Sequence, residues 1–215
     1  MTDIKVDYID HMGSDDRVVD AARVSFEKEA SNFPPDQNSK LLKYLATHNH
    51  WTPFSHPQVT FRYTVPIFVA RQEFKHIVGF TRNEVSRRYV DDTPEFYVPE
   101  VWRSRPDGSV KQGSSGPLNR GGQEYYDEYY TRLLSFVEEM YGQMIQDGVA
   151  PEQARMILPQ SMMTSYYITG SLAAFARMYN QRSDPHAQKE IQDLAHEVGA
   201  IIQPLFPISW AALTQ

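Results

Sequence analysis

Residues 58–89 read QVTFRYTVPIFVARQEFKHIVGFTRNEVSRRY and carry the strongest local signals of the chain. Apolar and polar residues alternate from Val59 to Val65, which predicts a β-strand with one buried face. Pro66 suits the first position of a helix, so we expect the strand to pass into a helix with almost no loop. On a helical projection, the polar side chains of this helix share an arc of ~140° opposite the apolar ones. The polar set is Arg71, Gln72, Lys75 and His76, and the apolar set is Ala70, Phe74, Ile77 and Val78.

The same stretch concentrates positive charge in an acidic protein. The formal net charge of the chain is -6, yet residues 62–88 contain six basic residues and two acidic ones. A local field of this kind suits a small polyanion such as a nucleotide better than a long nucleic acid, which meets a basic surface spread over a whole domain. Ser86, Arg87 and Arg88 place a hydroxyl and two guanidinium groups in consecutive positions, as phosphate binding requires. A solvated, charged strand edge is the alternative interpretation of this run.

The length and composition favour a single globular domain, residues 1–215. Of the 215 residues, 41% are hydrophobic and 22% are charged. No apolar run approaches the ~18 residues of a membrane helix, and the start of the chain lacks a signal-peptide pattern. We therefore expect a cytoplasmic protein without a membrane partner. The chain contains no cysteine, which excludes disulfides, thiolate metal sites and a cysteine nucleophile.

Elsewhere the sequence predicts strands in the first half and helices in the second. A short edge strand is predicted over 4–9, and two helices are predicted to begin at capping residues 14–16 and 38–39. Gly79 is the predicted end of the helix after Pro66, and residues 85–90 are predicted to start another strand. A flexible surface loop, 103–122, is followed by helices predicted over 123–145, from Pro151, over 165–182 and over 191–202. The fold class is α+β, an antiparallel sheet with flanking helices and a helical C-terminal half.

Other patterns point away from common catalytic sites. The sequence contains no P-loop, GxGxxG, GxSxG or HExxH motif. His48, His50 and His56 lack a recognised ligand spacing, so we expect no metal, and we interpret His56 as a cofactor contact or a structural hydrogen bond. The tyrosines of the long helix are more typical of a core and a subunit interface than of a stacking platform.

Four separate blocks resemble the flavin-dependent thymidylate synthases. The main block runs from HNHWTPFSHP at residue 48 to NEVSRRYV at residue 90. The others are AARVSF at 21–26, EQARMILP at 152–159 and RSDPHAQKEIQ at 182–192. The blocks occur in the family's order and cover most of the chain outside the loop, which makes the resemblance far more specific than a single motif.

The resemblance implies a role for individual residues. Those implied to lie around FAD are Ser25, His56, Lys75, His76, Ile77, Glu84, Ser171, Arg177 and His186. Those implied to bind dUMP are Gln72, Lys75, Glu84, Ser86, Arg87, Arg88, Arg155 and Arg182. Arg155 is implied to reach the nucleotide phosphate from a neighbouring subunit. Arg182 is the implied catalytic residue, which lies against the uracil ring and favours its ionised form.

The resemblance also implies a reaction. Such enzymes convert dUMP to dTMP with methylenetetrahydrofolate as carbon donor, FAD as cofactor and NADPH as reductant, and they are homotetramers with shared active sites. The missing cysteine agrees with this, because the classical thymidylate synthase attacks the pyrimidine with a thiolate. A hydroxymethylating relative and a catalytically idle nucleotide-binding homologue are the alternatives.

One position departs from the family pattern. Ile77 stands where the family usually has arginine, and Lys75 replaces the more common arginine two residues earlier. A flavin phosphate contact is therefore expected either to be weakened or to come from another basic residue, for which Arg82 is the candidate.

Overall fold

A four-stranded antiparallel sheet forms the centre of the protein, in a computed structural model that describes residues 3–106 and 112–214. Its strands are β1 (Lys5–Met12), β2 (Gln58–Pro66), β3 (Phe80–Glu84) and β4 (Met163–Ser171). Their order in the sheet is β1-β2-β4-β3, so β4 lies between two strands that come much earlier in the chain. Every pair of neighbouring strands is antiparallel.

Helices cover one face of the sheet and extend beyond it. They are α1 (Asp15–Arg23), α2 (Pro35–Thr47), α3 (Ile67–Glu73), α4 (Arg120–Gln146), α5 (Pro151–Ala154), α6 (Leu172–Arg182), α7 (Lys189–Leu205) and α8 (Pro207–Leu213). The alternation of β2 is confirmed, because Val59, Phe61, Tyr63 and Val65 are all fully buried. These side chains pack in one apolar cluster with residues of α6 and α7, such as Phe175 and Leu194. None of the helices in the described residues is long and apolar enough to cross a membrane.

The predicted α+β class with an antiparallel sheet is confirmed, but the predicted helix over 165–182 is wrong in its first half. Residues 163–171 form β4, and only 172–182 form α6. The aromatic and β-branched residues of SYYITG fit a strand that pairs with β2 on one side and with β3 on the other. Ser171 then caps α6 by accepting a hydrogen bond from the Ala174 amide at 3.2 Å. The strands are therefore not confined to the part of the chain before the loop.

Two boundaries near the basic stretch also differ from the prediction. Helix α3 ends at Glu73 and not at Gly79, so Lys75 and His76 lie on a turn beyond the helix. Residues 85–90 are not a strand; β3 ends at Glu84, and Arg87–Tyr89 form a turn. We refer to residues 74–79 as the basic turn. Pro66 is the last residue of β2 and the N-cap of α3, one position earlier than expected.

Smaller corrections concern α2, α8 and the loop. Helix α2 begins at Pro35, and Asn38, expected as a cap, is buried inside it and donates to the Ala30 carbonyl at 2.9 Å. Helix α8 had no counterpart in the sequence prediction. Of the predicted loop, residues 107–111 lie outside the described residues. In its described flanks Arg103 pairs with Pro117 in an antiparallel bridge, and the last residues already belong to α4.

Candidate functional site

A cleft of about 780 Å³ opens beside the end of β3. It lies between α3, the turn after β3 and the short helical segment at 155–157. Its charged lining residues are Arg62, Arg71, Arg87, Arg88 and Arg155 on the positive side, and Glu84, Asp92 and Glu95 on the negative side. Because five guanidinium groups face three carboxylates, the cleft is electropositive although the chain is acidic.

The two neighbouring arginines of the cleft are held differently. Arg87 donates to the Asp92 carbonyl and to Asp92 Oδ1, both at 2.6 Å. Within the described residues, the Arg88 guanidinium makes only a long contact to Ser86 Oγ at 3.5 Å, and it lies over the Tyr89 ring, 5.1 Å from its centroid. No ion pair of Arg88 occurs within residues 3–106 and 112–214. Arg87 therefore shapes the turn, and Arg88 keeps its guanidinium available for an anion.

Two more predicted substrate residues line the same cleft. Glu84 ends β3, and its Oε1 accepts a hydrogen bond from Thr164 Oγ1 of β4 at 2.7 Å. Arg155 is exposed, and its Nε donates to the Glu152 carbonyl at 3.3 Å. Arg155 thus lines this cleft in its own chain, and its implied contact with a nucleotide phosphate from a neighbouring subunit stays a prediction.

A second cluster brings together Gln72, His76 and Arg182, which we call the Arg182 cluster. Arg182 ends α6, and its Nε donates to His76 Nε2 at 2.8 Å while its terminal nitrogen donates to the Gln72 carbonyl at 2.9 Å. The Gln72 side chain donates in turn to Gln188 Oε1 at 2.7 Å. Arg182 therefore meets two predicted site residues that lie more than 100 positions earlier in the sequence, but none of the three is among the residues that line the cleft.

The hydrogen bond from Arg182 requires a neutral His76. Burial, with Arg182, Arg82 and Arg177 nearby, lowers the pKa of His76 to about 4. At neutral pH its Nε2 accordingly carries a lone pair, and the ring proton is on Nδ1. Burial also lowers the pKa of Arg182, but a guanidinium stays protonated in proteins. The cluster therefore presents one fixed positive charge held by two neutral acceptors.

Arg82 is not placed to contact a flavin phosphate as the sequence predicted. Its guanidinium donates to both carboxylate oxygens of Glu73, at 2.6 and 2.8 Å, and to the His76 carbonyl at 2.6 Å. The side chain of Glu73 is fully buried, and that of Arg82 is 14% exposed. The physical reason is that β3 points Arg82 toward the interior, where the carboxylate of Glu73 attracts it.

Apart from Glu84, which lines the cleft, the residues that the resemblance assigns to FAD fall into two sets. Lys75, His76 and Ile77 share the basic turn, where the Ile77 side chain is 73% exposed. Arg177 donates to the Val78 carbonyl at 2.6 Å, and the Ser171 amide donates to the Gly79 carbonyl at 3.1 Å, so both adjoin this turn. The others, Ser25, His56 and His186, are exposed on separate segments, and His186 is hydrogen-bonded to Asp184 at 2.9 Å.

Sequence reasoning missed four residues that shape the site. They are Glu73, Arg82 in its buried role, Asp92 and Gln188. Glu73 had a detectable signal, because it is the single acidic residue of α3 and directly precedes the apolar Phe74. The roles of Asp92 and Gln188 depend on contacts across loops, for which the sequence offered no pattern.

Comparison with known proteins gives a family match over most of the chain. The family model described as thymidylate synthase complementing protein matches residues 7–208. The flavin-dependent thymidylate synthase of Thermosipho africanus is 35% identical over 95% of this chain and 88% of its own length. The enzyme of the same name from Thermus thermophilus is 36% identical over 96% of this chain and 74% of its own length.

A solved structure shows the same fold. The UMP/dUMP methylase PolB from Streptomyces cacaoi, bound with 5-Br dUMP, superposes with a TM-score of 0.88 at 28% identity, covering 99% of this chain and 95% of that one. The family match spans both the cleft and the Arg182 cluster. The chain is therefore an enzyme of the thymidylate synthase complementing protein family, the flavin-dependent thymidylate synthases.

Proposed function

We propose that this protein carries out the reductive methylation of dUMP to dTMP, with FAD as cofactor, methylenetetrahydrofolate as carbon donor and NADPH as reductant. The observation that carries the proposal is the electropositive cleft with an unengaged Arg88 beside Ser86, combined with a separate arginine held by neutral acceptors. The relatives named as flavin-dependent thymidylate synthases and the methylase with a bound dUMP analogue support it.

The dUMP phosphate is assigned to the cleft. Arg88 and Ser86 offer a guanidinium and a hydroxyl on one turn, and Arg155 adds a second cation from the other wall. Arg87 contributes by holding the turn through Asp92. The phosphate charge is thus matched by the excess positive charge of the cleft.

The uracil ring is assigned to Arg182. A guanidinium fixed at two nitrogens and held against the ring favours the ionised, electron-rich form of the pyrimidine, from which a new carbon bond is made. Because the Arg182 cluster does not line the cleft of its own chain, we propose that one active site combines the cleft of one subunit with the Arg182 cluster of another.

The basic turn fits a bound flavin. Within the described residues, the amides of Ile77, Val78 and Gly79 make no hydrogen bond to the protein. Successive free amides next to Lys75 suit a pyrophosphate, and the exposed apolar side chains of Ile77 and Val78 suit a planar ring. These main-chain donors compensate for the missing arginine at position 77. Bound FAD supplies the reducing equivalents, and the chain supplies binding and orientation.

An exposed apolar stripe on α4 supports assembly into the proposed homotetramer. It consists of Tyr126, Tyr129, Leu133, Phe136 and Met140, which are between 41% and 62% exposed. Their spacing of three and four residues is that of a helix–helix seam, and it lies beside the face that α4 already buries with Leu134, Val137 and Tyr141. An unpartnered stripe of this length on a soluble enzyme indicates a subunit contact.

We expect Phe136→Asp to dissociate the assembly. A carboxylate at the centre of the stripe would be desolvated by a partner helix, which is strongly unfavourable. Size-exclusion chromatography with light scattering should show a smaller species, whereas Thr131→Asp, on the opposite side of α4, should leave the mass unchanged. A Phe136→Asp protein with the mass of the wild type would show that this stripe is not the subunit contact.

The proposed reaction is tested by three measurements on the purified protein. The visible spectrum after incubation with excess FAD should show a bound flavin, which NADPH bleaches with and without dUMP. Adding methylenetetrahydrofolate should release tritium from the 5 position of labelled dUMP. Mass analysis should show a methyl group on the product; a hydroxymethyl product or binding of dUMP without turnover would each replace the proposal with one of its two alternatives.

A further inference from the structure

The buried Glu73–Arg82 ion pair has no role in the chemistry proposed above. Glu73 ends α3 with its side chain fully buried, and Arg82 reaches it from β3 with one nitrogen on each carboxylate oxygen. Tyr166 of β4 also donates to Glu73 Oε2 at 3.3 Å. Burial raises the pKa of the Glu73 carboxyl, and Arg82 opposes that rise. Burying such a pair is costly compared with apolar side chains of the same size, so stability alone is a weak explanation for it.

The pair is linked directly to the basic turn. The Arg82 nitrogen that binds Glu73 Oε1 also donates to the His76 carbonyl at 2.6 Å and, more weakly, to the Glu73 carbonyl at 3.4 Å. Beyond the end of α3 the Glu73 carbonyl accepts from the His76 amide at 3.0 Å, whereas the His76 carbonyl receives from Arg82 the hydrogen bond that a longer helix would supply with its own amides. Arg82 therefore fixes the position of the chain just after α3, including that of His76.

The position of His76 in turn decides the position of Arg182. His76 Nε2 accepts from Arg182 Nε at 2.8 Å, which is one of only two hydrogen bonds that hold this guanidinium among the described residues. A shift of the turn by about 1 Å would break this bond, and displacements of that size cost about 100-fold in rate when they reach a reacting group.

We propose that Glu73 and Arg82 are positioning residues that fix His76 as the acceptor for Arg182, and so aim the guanidinium at the uracil ring. The inference rests on the proposed function for its kinetic consequence, but the link from Arg82 to His76 exists without substrate. Arg82 thus serves the active site from inside the protein and not as a ligand of the flavin.

A double-mutant cycle tests the proposal. Arg82→Lys keeps the charge but cannot bind the carboxylate and the His76 carbonyl together, so we expect it to lower kcat about 10- to 100-fold with little change in KM for dUMP. If Arg82 acts through Arg182, adding Arg82→Lys to Arg182→Lys should change kcat less than about twofold further. If the fold-losses in kcat of the two single variants multiply in the double variant, the proposal is overturned.

A matched control is available in the Arg103–Glu190 pair. It is also an arginine–glutamate ion pair with a buried carboxylate, at 2.6 Å, but it does not contact the basic turn. Arg103→Lys should lower the melting temperature without lowering kcat. Its effect on the melting temperature should add to that of Arg182→Lys, and the kcat of the double variant should equal that of Arg182→Lys alone. If Arg103→Lys lowers kcat as much as Arg82→Lys, the pair has no specific positioning role.

Nuclear magnetic resonance of the His76 ring separates this inference from the proposed function. In the wild type, Nε2 should show the nitrogen shift of an unprotonated acceptor, which Arg82→Lys changes and Arg103→Lys does not. If Arg82→Lys does not fold, Glu73→Gln, which keeps the side-chain size, replaces it in both experiments. An unchanged His76 signal in the folded variant would overturn the positioning role even if dUMP is not the substrate.

Discussion

Replacing Arg182 by lysine is expected to lower kcat for dUMP methylation by about 100- to 1,000-fold while the protein stays folded. Lysine keeps the positive charge but loses the planar guanidinium, which donates to His76 Nε2 and to the Gln72 carbonyl at the same time. The charge would then be neither oriented nor held against the ring. Since this interaction matters most when negative charge develops on the pyrimidine, the loss should appear in kcat more than in KM for dUMP.

The measurement is tritium release from labelled dUMP as a function of nucleotide concentration, with the melting temperature followed by circular dichroism. Gln181→Lys is the matched control, because it places the same ammonium on an exposed neighbouring position of α6. It should retain the wild-type kcat. An Arg182→Lys enzyme within about tenfold of the wild-type kcat would remove Arg182 from the proposed chemistry.

Sequence patterns identified the elements in which one buried face appears as a regular spacing of apolar residues. Strand β2 alternates cleanly because one face packs on α6 and α7, and the long helix α4 repeats apolar residues at three and four. Strand β4 was mistaken for helix because it lies between two strands and continues directly into the apolar helix α6. Its run of aromatic and apolar residues has no period of its own that separates strand from helix.

The sequence likewise predicted some features of the candidate site and not others. The charge pattern of residues 62–88 indicated a basic region with Ser86 and Arg88 suited to a phosphate, and the family resemblance added Arg182 far beyond it. Neither could distinguish arginines that bind ligands from arginines that hold the protein together. Arg82 is internal because Glu73 is buried beneath it, and Arg87 is engaged because Asp92, five residues later, lies within hydrogen-bonding distance. Such partners are decided by three-dimensional contacts, which composition and spacing do not record.

Arg88 is expected to be the main phosphate ligand, so Arg88→Ala should weaken dUMP binding by about 10- to 100-fold, the cost of about 1.5–3 kcal/mol for a hydrogen bond to a charged group. Unlike Arg87, it has no carboxylate partner within the described residues, and it lines the cleft beside Ser86. Isothermal titration calorimetry at low and high salt should show a smaller salt dependence for the variant, because one charge has been removed.

Deoxyuridine, which lacks the phosphate, separates a phosphate ligand from a residue that merely supports the cleft. If Arg88 binds the phosphate, Arg88→Ala should leave the affinity for deoxyuridine unchanged. The ratio of the dUMP affinity to the deoxyuridine affinity should then fall by the same factor as the dUMP affinity itself. Arg120→Ala, which removes an exposed arginine of α4 that pairs with Glu124, is the control and should not alter either affinity. Equal losses for dUMP and deoxyuridine would instead show that Arg88 maintains the shape of the cleft, and the phosphate would then have to be assigned to Arg155 and Ser86.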